Sequence, residues 1–276
     1  MAALFAMRSF GLSQRRVSRL VRVSRTLFSY RPKLNKLNEK IRKRLKELAA
    51  RYRRFGSWKF HKILKREGIS VNHKRVERIY REEHLSLRER KRKKLKAVSR
   101  VALPRPVRAN QQWSMDFIHD KLWEGRKFRS LSIVDTFTHE CLALEVDSSL
   151  KGERVKRVLE RLASERGLPE AITVDNGPEF ISQVVDEWAY RRGVKLDFIR
   201  PGKPTDNPFV ESFHDKFRDE CLDEHYFSTL PEARTIIEDW RIEFNTFRPH
   251  RTLKGLTPEE FAQQQKQTPK LALQLA

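Results

Sequence analysis

Apolar positions in the first third of the chain recur at helical spacing. In residues 11–32, Ser13 can cap a helix in which Val17, Leu20 and Val21 share one face. Val23 and Ser24 then turn into a short second helix carrying Leu27 and Phe28, which Pro32 ends. Leu34, Leu37, Ile41, Leu45, Leu48 and Tyr52 mark a longer amphipathic helix whose spacing does not sustain a coiled-coil heptad. In residues 54–86, Phe60, Ile63 and Leu64 share a face, Gly68 supplies a turn and Asn72 can cap the next helix. There Val76, Ile79 and Tyr80 face inward, leaving Lys74, Arg75, Arg78 and Arg81 outward. The pattern predicts two helix-turn-helix units. The helix after Asn72 suits a major-groove recognition helix, although a basic face of this kind can also simply grip phosphates.

From Gln111 the period changes. Short apolar runs, WSMDFI (113–118), FRSLSIVDTF (128–137) and CLALEV (141–146), are separated by charged or glycine-containing turns and read as a meander of strands. A helix follows with Val155, Val158, Leu159 and Leu162 on one stripe. Then come a strand AITVD (171–175), a helix with Ile181, Val184, Val185 and Trp188, a strand KLDFI (195–199) and two more helices. The order βββαβαβαα predicts an α/β fold: a mixed five-stranded sheet covered by helices, in the ribonuclease H-like arrangement.

Charge divides the chain at nearly the same place. Residues 1–110 hold 35 Lys and Arg against 7 Asp and Glu, a net +28, whereas residues 111–276 hold 24 against 29, a net −5. A strongly basic half joined to a mildly acidic one points to a polyanionic partner for the first and a separate task for the second. The run RERKRKKLK (88–96), followed by Pro104 and Pro106, reads as a linker whose cations Arg90, Lys91, Arg92, Lys93 and Lys94 lie along DNA backbone. Cys141 and Cys221 stand far apart, with no zinc spacing and no disulfide framework. No apolar stretch is long enough to span a membrane. Residues 1–38 lack acids, a composition shared by transit peptides; the helical periodicity favours a folded reading.

Three acids stand out by position. Asp116 lies within the first strand among Trp113, Met115, Phe117 and Ile118, and Asp175 ends the fourth, where α/β sheets tend to place ligands. Glu211 lies early in a helix that Asn207 can cap and Pro208 can open. Singly, each acid reads as well as a buried hydrogen-bonding group, a turn former or a helix-end charge. Jointly, the strand order brings them to one end of the sheet.

With WSMDF (113–117), VDNGPEF (174–180), PGKPTDNPFVESFHDKFRDECL (201–222), FNTFRPHRTL (244–253), the FG…NHKRV block (55–76) and 35 residues between Asp175 and Glu211, the chain resembles a DDE transposase of the retroviral-integrase superfamily. It is most similar to the second-frame transposases of two-frame bacterial insertion sequences. The resemblance implies catalytic, metal-binding roles for Asp116, Asp175 and Glu211. They would hold two Mg²⁺ or Mn²⁺ ions, Asp116 bridging the pair, for DNA cleavage and strand transfer without a covalent protein–DNA intermediate. It also implies DNA contacts by Arg218, two helical turns beyond Glu211, and by Lys203 in the 201–206 loop. The partners it implies are double-stranded terminal inverted repeats, target DNA, further copies of the chain on DNA, and a first-frame DNA-binding protein, fused or in trans. The setting would be the bacterial cytoplasm, at the nucleoid. The chain departs from the family at His214-Asp215, where small or amide residues are usual, at Arg22, where Gly is common, and in VDTFTHE, which lacks a paired acid with Arg. Asn245, Arg248 and His250 match a family signature, and sequence alone gives them no physical role.

The expected domains are a helix-turn-helix at 1–33, a second one at 34–87, a basic linker at 88–110, a catalytic core at 111–262 and a disordered tail at 263–276. A DNA-binding regulator that has lost catalysis, or a structure-specific ribonuclease H-like nuclease, would carry many of the same signals. Two helix-turn-helix units and a basic linker favour a double-stranded terminal repeat over the second of these.

Overall fold

In the computed structural model, which describes residues 9–22, 24–26, 35–87, 106–200 and 207–274, the sheet grows outward from one long strand. This is β1 (Gln112–Lys121), and the strand order is β3-β2-β1-β4-β5. The antiparallel meander joins β1 to β2 (Lys127–Asp135) and β2 to β3 (Cys141–Asp147). On its other edge β1 pairs in parallel with β4 (Ala171–Val174), which pairs in parallel with β5 (Lys195–Phe198). The strands fall where the apolar runs predict them, because each run has the two-residue period of a pleated strand.

That period sorts β1 between two cores. Trp113 and Met115 enter one with Val155, Leu159 and Trp188. These come from α5 (Gly152–Arg166) and α6 (Gln183–Arg192). Ile118 enters the other with Phe213, Phe217, Ile237 and Trp240, from α7 (Pro208–Glu220) and α8 (Leu230–Thr246). Asp116 is even-numbered like Ile118, so it faces the α7 side. Ile181, expected on the stripe of α6, instead precedes that helix and is 57% exposed. The tight turn from Gly177, with Phe180 N and Ile181 N both donating to Gly177 O, delays the helix start to Gln183.

Residues 1–46 and 47–276 form two compact units. In the first, α1 (Gln14–Leu20) starts at Ser13, whose hydroxyl accepts from Arg16 N, and buries Val17. Leu20 and Val21, expected to share that buried face, are 69% and 41% exposed. Arg22 follows at φ +53°, the left-handed conformation that favours glycine. The expected second helix of this unit, with Leu27, Phe28 and Pro32, lies outside the described residues, as does Leu34. α2 (Lys36–Arg51) buries Ile41, Leu45 and Leu48 and carries Leu37 exposed.

In the second unit, α3 (Ser57–Arg66) and α4 (His73–Glu82) form the expected helical pair. Asn72 Oδ1 accepts from Lys74 N and caps α4. Gly68 turns at φ +77°, and Phe60, Ile63, Leu64, Val76, Ile79 and Tyr80 are buried. This pair is seated on the helices that cover the sheet. Lys59 Nζ donates to Glu220 Oε1 at 2.7 Å, Arg54 Nε to Glu224 at 2.6 Å, and Arg66 to Glu260 at 2.6 Å and to the carbonyls of Phe247 and Gly255. Tyr52 stacks on Phe247 at 5.0 Å. α9 (Pro258–Gln274) continues through most of the segment expected as a tail. No helix among the described residues is long and apolar enough to cross a membrane.

Candidate active site

The parallel register sets two of the three acids side by side. Gln112, Trp113 and Ser114 pair with Ala171, Ile172 and Thr173, a constant offset of 59. The ladder ends there; two residues further along lie Asp116, still in β1, and Asp175, just past the end of β4. Asp175 follows the last residue of β4 and is held by its own turn. Gly177 N donates to Asp175 Oδ1 at 2.9 Å, and Asn176 Nδ2 donates to Ile199 O, past β5, at 2.8 Å. A Cβ on Gly177 would lie 2.9 Å from Asp175 Oδ1, so this approach needs glycine.

The third acid comes from α7, which packs on β1 and β2. Pro208 opens the helix and Glu211 is in its first turn. Asn207 stands at the cap position without a side-chain cap bond, contrary to expectation; its backbone is not in the usual extended cap conformation and its Oδ1 is buried without a partner. Burial pushes the Asp116 carboxyl up to about 6 against a 2.7 Å hydrogen bond from Phe117 N, and the charges of Asp175 and Glu211 raise it further. Burial, then Asp215, also raise Glu211. Asp116 thus lies within electrostatic reach of both other acids. Among the described residues, no three His, Cys, Asp or Glu side chains are set closely enough to cage one ion.

His214 is the neighbour that the sequence marked only as a departure. Its Nδ1 lies 3.6 Å from Asp116 Oδ2, and its Nε2 lies 2.5 Å from Ser132 Oγ. Ser132 gives its one hydroxyl proton to Asp116 O at 3.0 Å, so the bond to His214 runs from ring to hydroxyl. Burial, helped by Arg218, pushes the imidazole down to about 4 and keeps it neutral, leaving the Nδ1 lone pair on the Asp116 side. Behind Asp175, Arg129 pairs with Glu179 of VDNGPEF and lies 4.2 Å over the Phe117 ring, which stacks on Phe180. Sequence reasoning missed Arg129 because its partner is 50 residues away.

Of the proposed DNA-contact residues that the structure describes, four lie on α4 and one on α7. Arg218 is exposed on α7 and donates to His119 O at 2.9 Å, tying the helix to β1. Lys74, Arg78 and Arg81 are exposed on α4, where Arg78 pairs with Glu82 and Arg81 with Glu77; Arg75 is half-buried. Arg90, Lys91, Arg92, Lys93, Lys94 and Lys203 lie outside the described residues.

The FNTFRPHRTL signature acquires a structural role. Asn245 clamps the start of edge strand β3: Nδ2 donates to Cys141 O at 2.8 Å and Oδ1 accepts from Cys141 N at 2.9 Å. Arg248 grips Glu220 with both arms, at 2.6 and 2.5 Å, on the carboxylate that Lys59 of α3 also holds. His250 is buried against Phe244, at 4.8 Å between ring centroids.

Comparison with known proteins agrees with this architecture. Two integrase core domain profiles match residues 106–204 and 192–258, and an HTH-like domain profile matches residues 36–94. An insertion element IS407 protein of 31.7 kDa from Burkholderia multivorans is 45% identical over 93% of both chains. An insertion element IS476 protein of 39.2 kDa from Xanthomonas euvesicatoria is 41% identical over 91% of this chain and 72% of its own. Among solved structures, the simian T-cell lymphotropic virus intasome in complex with PP2A regulatory subunit B56 gamma contains a chain that aligns at a TM-score of 0.53 and 19% identity, covering 70% of this chain and 67% of that one, a likeness of fold. A mixed five-stranded sheet of integrase type, an HTH-like segment before it and near-full-length identity to insertion-element proteins place this chain among the DDE transposases of the retroviral-integrase superfamily.

Proposed function

We propose that this transposase cuts DNA at the terminal inverted repeats of an insertion sequence and joins the freed ends to target DNA, with Asp116, Asp175 and Glu211 as its metal-binding catalytic residues. The observation that carries the reading is that the charges of Asp175 and Glu211 both reach the half-buried Asp116 carboxyl. Asp116, Asp175 and Glu211 would hold two cations between them. The donors are hard carboxylate oxygens, which suit Mg²⁺ or Mn²⁺. Two such ions stabilise both the attacking and the leaving oxygen of an in-line displacement at phosphorus. The residues position the groups that react. Gly177 fixes the Asp175 carboxylate, and Ser132, bonded to His214, holds the backbone carbonyl of Asp116. Water attacks the phosphodiester at the element end and frees a 3′-hydroxyl; that hydroxyl then attacks a target phosphodiester. Each step exchanges one P–O bond for another and forms no protein–DNA bond.

Recognition falls to the basic half. Lys74, Arg75, Arg78 and Arg81 of α4 face the terminal repeat, and the 88–96 run, Lys203 and Arg218 hold backbone. The chain divides at 33, 87 and 110, with α9 running on past 262, and several copies assemble on DNA at the bacterial nucleoid with a first-frame DNA-binding protein, fused or in trans, as a further partner. The test is a nicking assay with Mg²⁺ on a duplex carrying the element's terminal repeat. Asp116→Asn, Asp175→Asn and Glu211→Gln each abolish nicking while retaining DNA binding. Nicking retained by any one of them removes that residue from the site.

A further inference from the structure

α7 borders a second feature that the catalytic reading does not use. A cavity of about 620 Å³ opens between α3, the first turns of α7, α8 and residues 248–252. Its volume falls in the range of small-molecule sites. Lys59, Lys216, Arg248 and Arg251 all line it, and no Asp or Glu does. Trp58 and Phe209 supply aromatic surface on its α3 and α7 sides. The cations are only partly answered from outside the cavity. Glu220 is shared between Arg248 and Lys59, whereas Lys216 donates to Ser212 O and, at 2.6 Å, to Ser212 Oγ. Two of its three ammonium donors are thereby engaged with neutral oxygens. Burial, with Arg248 adding to it, pushes both Lys59 and Lys216 down to about 8. His250 also lines the cavity, and its buried Nε2 has no partner.

Aromatic faces, clustered ammonium and guanidinium groups and an unused polar nitrogen are together what a nucleobase with its phosphate requires. We infer that this cavity receives one unstacked nucleotide of the DNA end, the base against Trp58 or Phe209 and the phosphate against Lys216 and Arg251. The position supports a DNA nucleotide rather than a free metabolite. Phe209 and Ser212 flank Glu211 in sequence on α7. A strand lying at Glu211 is therefore within about one helix width, roughly 10–12 Å, of the cavity. That spans about three stacked nucleotides. Extruding a base there would fix the register of the strand relative to the acids. This inference rests on the catalytic reading for the strand's path, and the cavity itself does not depend on it.

The experiment uses the full chain carrying Asp116→Asn, so that DNA stays uncut, and duplexes bearing the element's terminal repeat with 5-iodouracil at one position at a time. Illumination links an iodouracil ring to an aromatic side chain stacked on it, and mass spectrometry locates the link. Expected is a link from one position near the cleavage point to Trp58 or Phe209. A mismatch at that same position should tighten binding about tenfold, because the unpaired base is cheaper to extrude. Lys216→Gln and Arg251→Gln should remove that gain, so that mismatched and fully paired duplexes bind alike. Links only outside the cavity, or a mismatch gain untouched by both variants, overturns the inference. Nicking of the unmodified duplex by the wild-type chain is scored in parallel. Nicking that requires the three acids, with no link to the cavity, sinks the nucleotide site alone. A cavity link without acid-dependent nicking sinks the catalytic assignment alone.

Discussion

Gly177 illustrates how much a single position can control. Its N–H holds Asp175 Oδ1, and its missing side chain makes room for that same oxygen. Gly177→Ala places a methyl against the carboxylate, which must rotate or shift with its turn. A displacement approaching 1 Å in a catalytic group costs about 10²-fold in rate. Nicking by Gly177→Ala should fall by that order while thermal unfolding stays near the wild-type midpoint, since the residue is in a half-buried loop and not in either core. Wild-type nicking rates would show that the turn tolerates the methyl. The sequence shows a D-N-G turn here, but not that the glycine faces the carboxylate two residues before it. His214 is a similar case: its spacing from Glu211 is legible, whereas its approach to Asp116 depends on how α7 lies across β1.

At the scale of elements, α7 carries a functional group at each end. Glu211 is in its first turn and Glu220 is its last residue. Burial would push Glu220 up, but hydrogen bonds from Arg248 and Lys59 hold it below the usual carboxylate range. The Glu220 and Arg248 side chains are each only 8% exposed, so the pair is desolvated and its partners are not interchangeable with solvent. Arg248→Ala leaves a buried carboxylate with Lys59 alone and should cost about 3–5 kcal/mol in urea unfolding. Replacing Glu220 and Arg248 together by Met should cost less than the sum of the single changes, because each single change strands its partner's charge whereas the double change strands only Lys59. Additive costs would show that the pair does not act as a unit. The two changes also test what seats α3 on the core, since Lys59 shares the carboxylate. Helix propensity and pattern make α3 and α7 legible separately; the separation of 161 positions from Lys59 to Glu220 hides their contact from any local reading.

For the whole molecule, the +28 and −5 halves set the salt response. Replacing the cations of 88–96 by Gln should weaken binding to all duplexes alike and flatten the salt slope by about 0.9 for each phosphate left without its cation. Arg75→Gln with Arg78→Gln should instead erode preference for the terminal repeat over a scrambled duplex, base-edge contacts being worth about 1–3 kcal/mol each. Competition binding on the two duplexes separates the cases. Equal loss on both by the Arg75/Arg78 variant would assign α4 to backbone gripping alone. The docking of α3 on the core adds a constraint that charge counting does not show. The basic half is not an independent module up to residue 110, because residues 51–66 are bonded to α7, α8 and α9.

The sequence by itself determined the strands, most of the helices and the βββαβαβαα order, and it singled out the three acids as candidates. Those follow from periodicity, caps and residue spacing, which are local properties of the chain. Only the tertiary structure decided which acid lies in electrostatic reach of which, that His214 lies beside Asp116, that Asn245 braces β3 and Arg248 helps seat α3, and that a cationic, aromatic cavity opens beside Glu211. Each of these depends on distances between residues tens to hundreds of positions apart. Such distances are fixed by how two cores pack on opposite faces of one sheet, and no pattern along the chain encodes them.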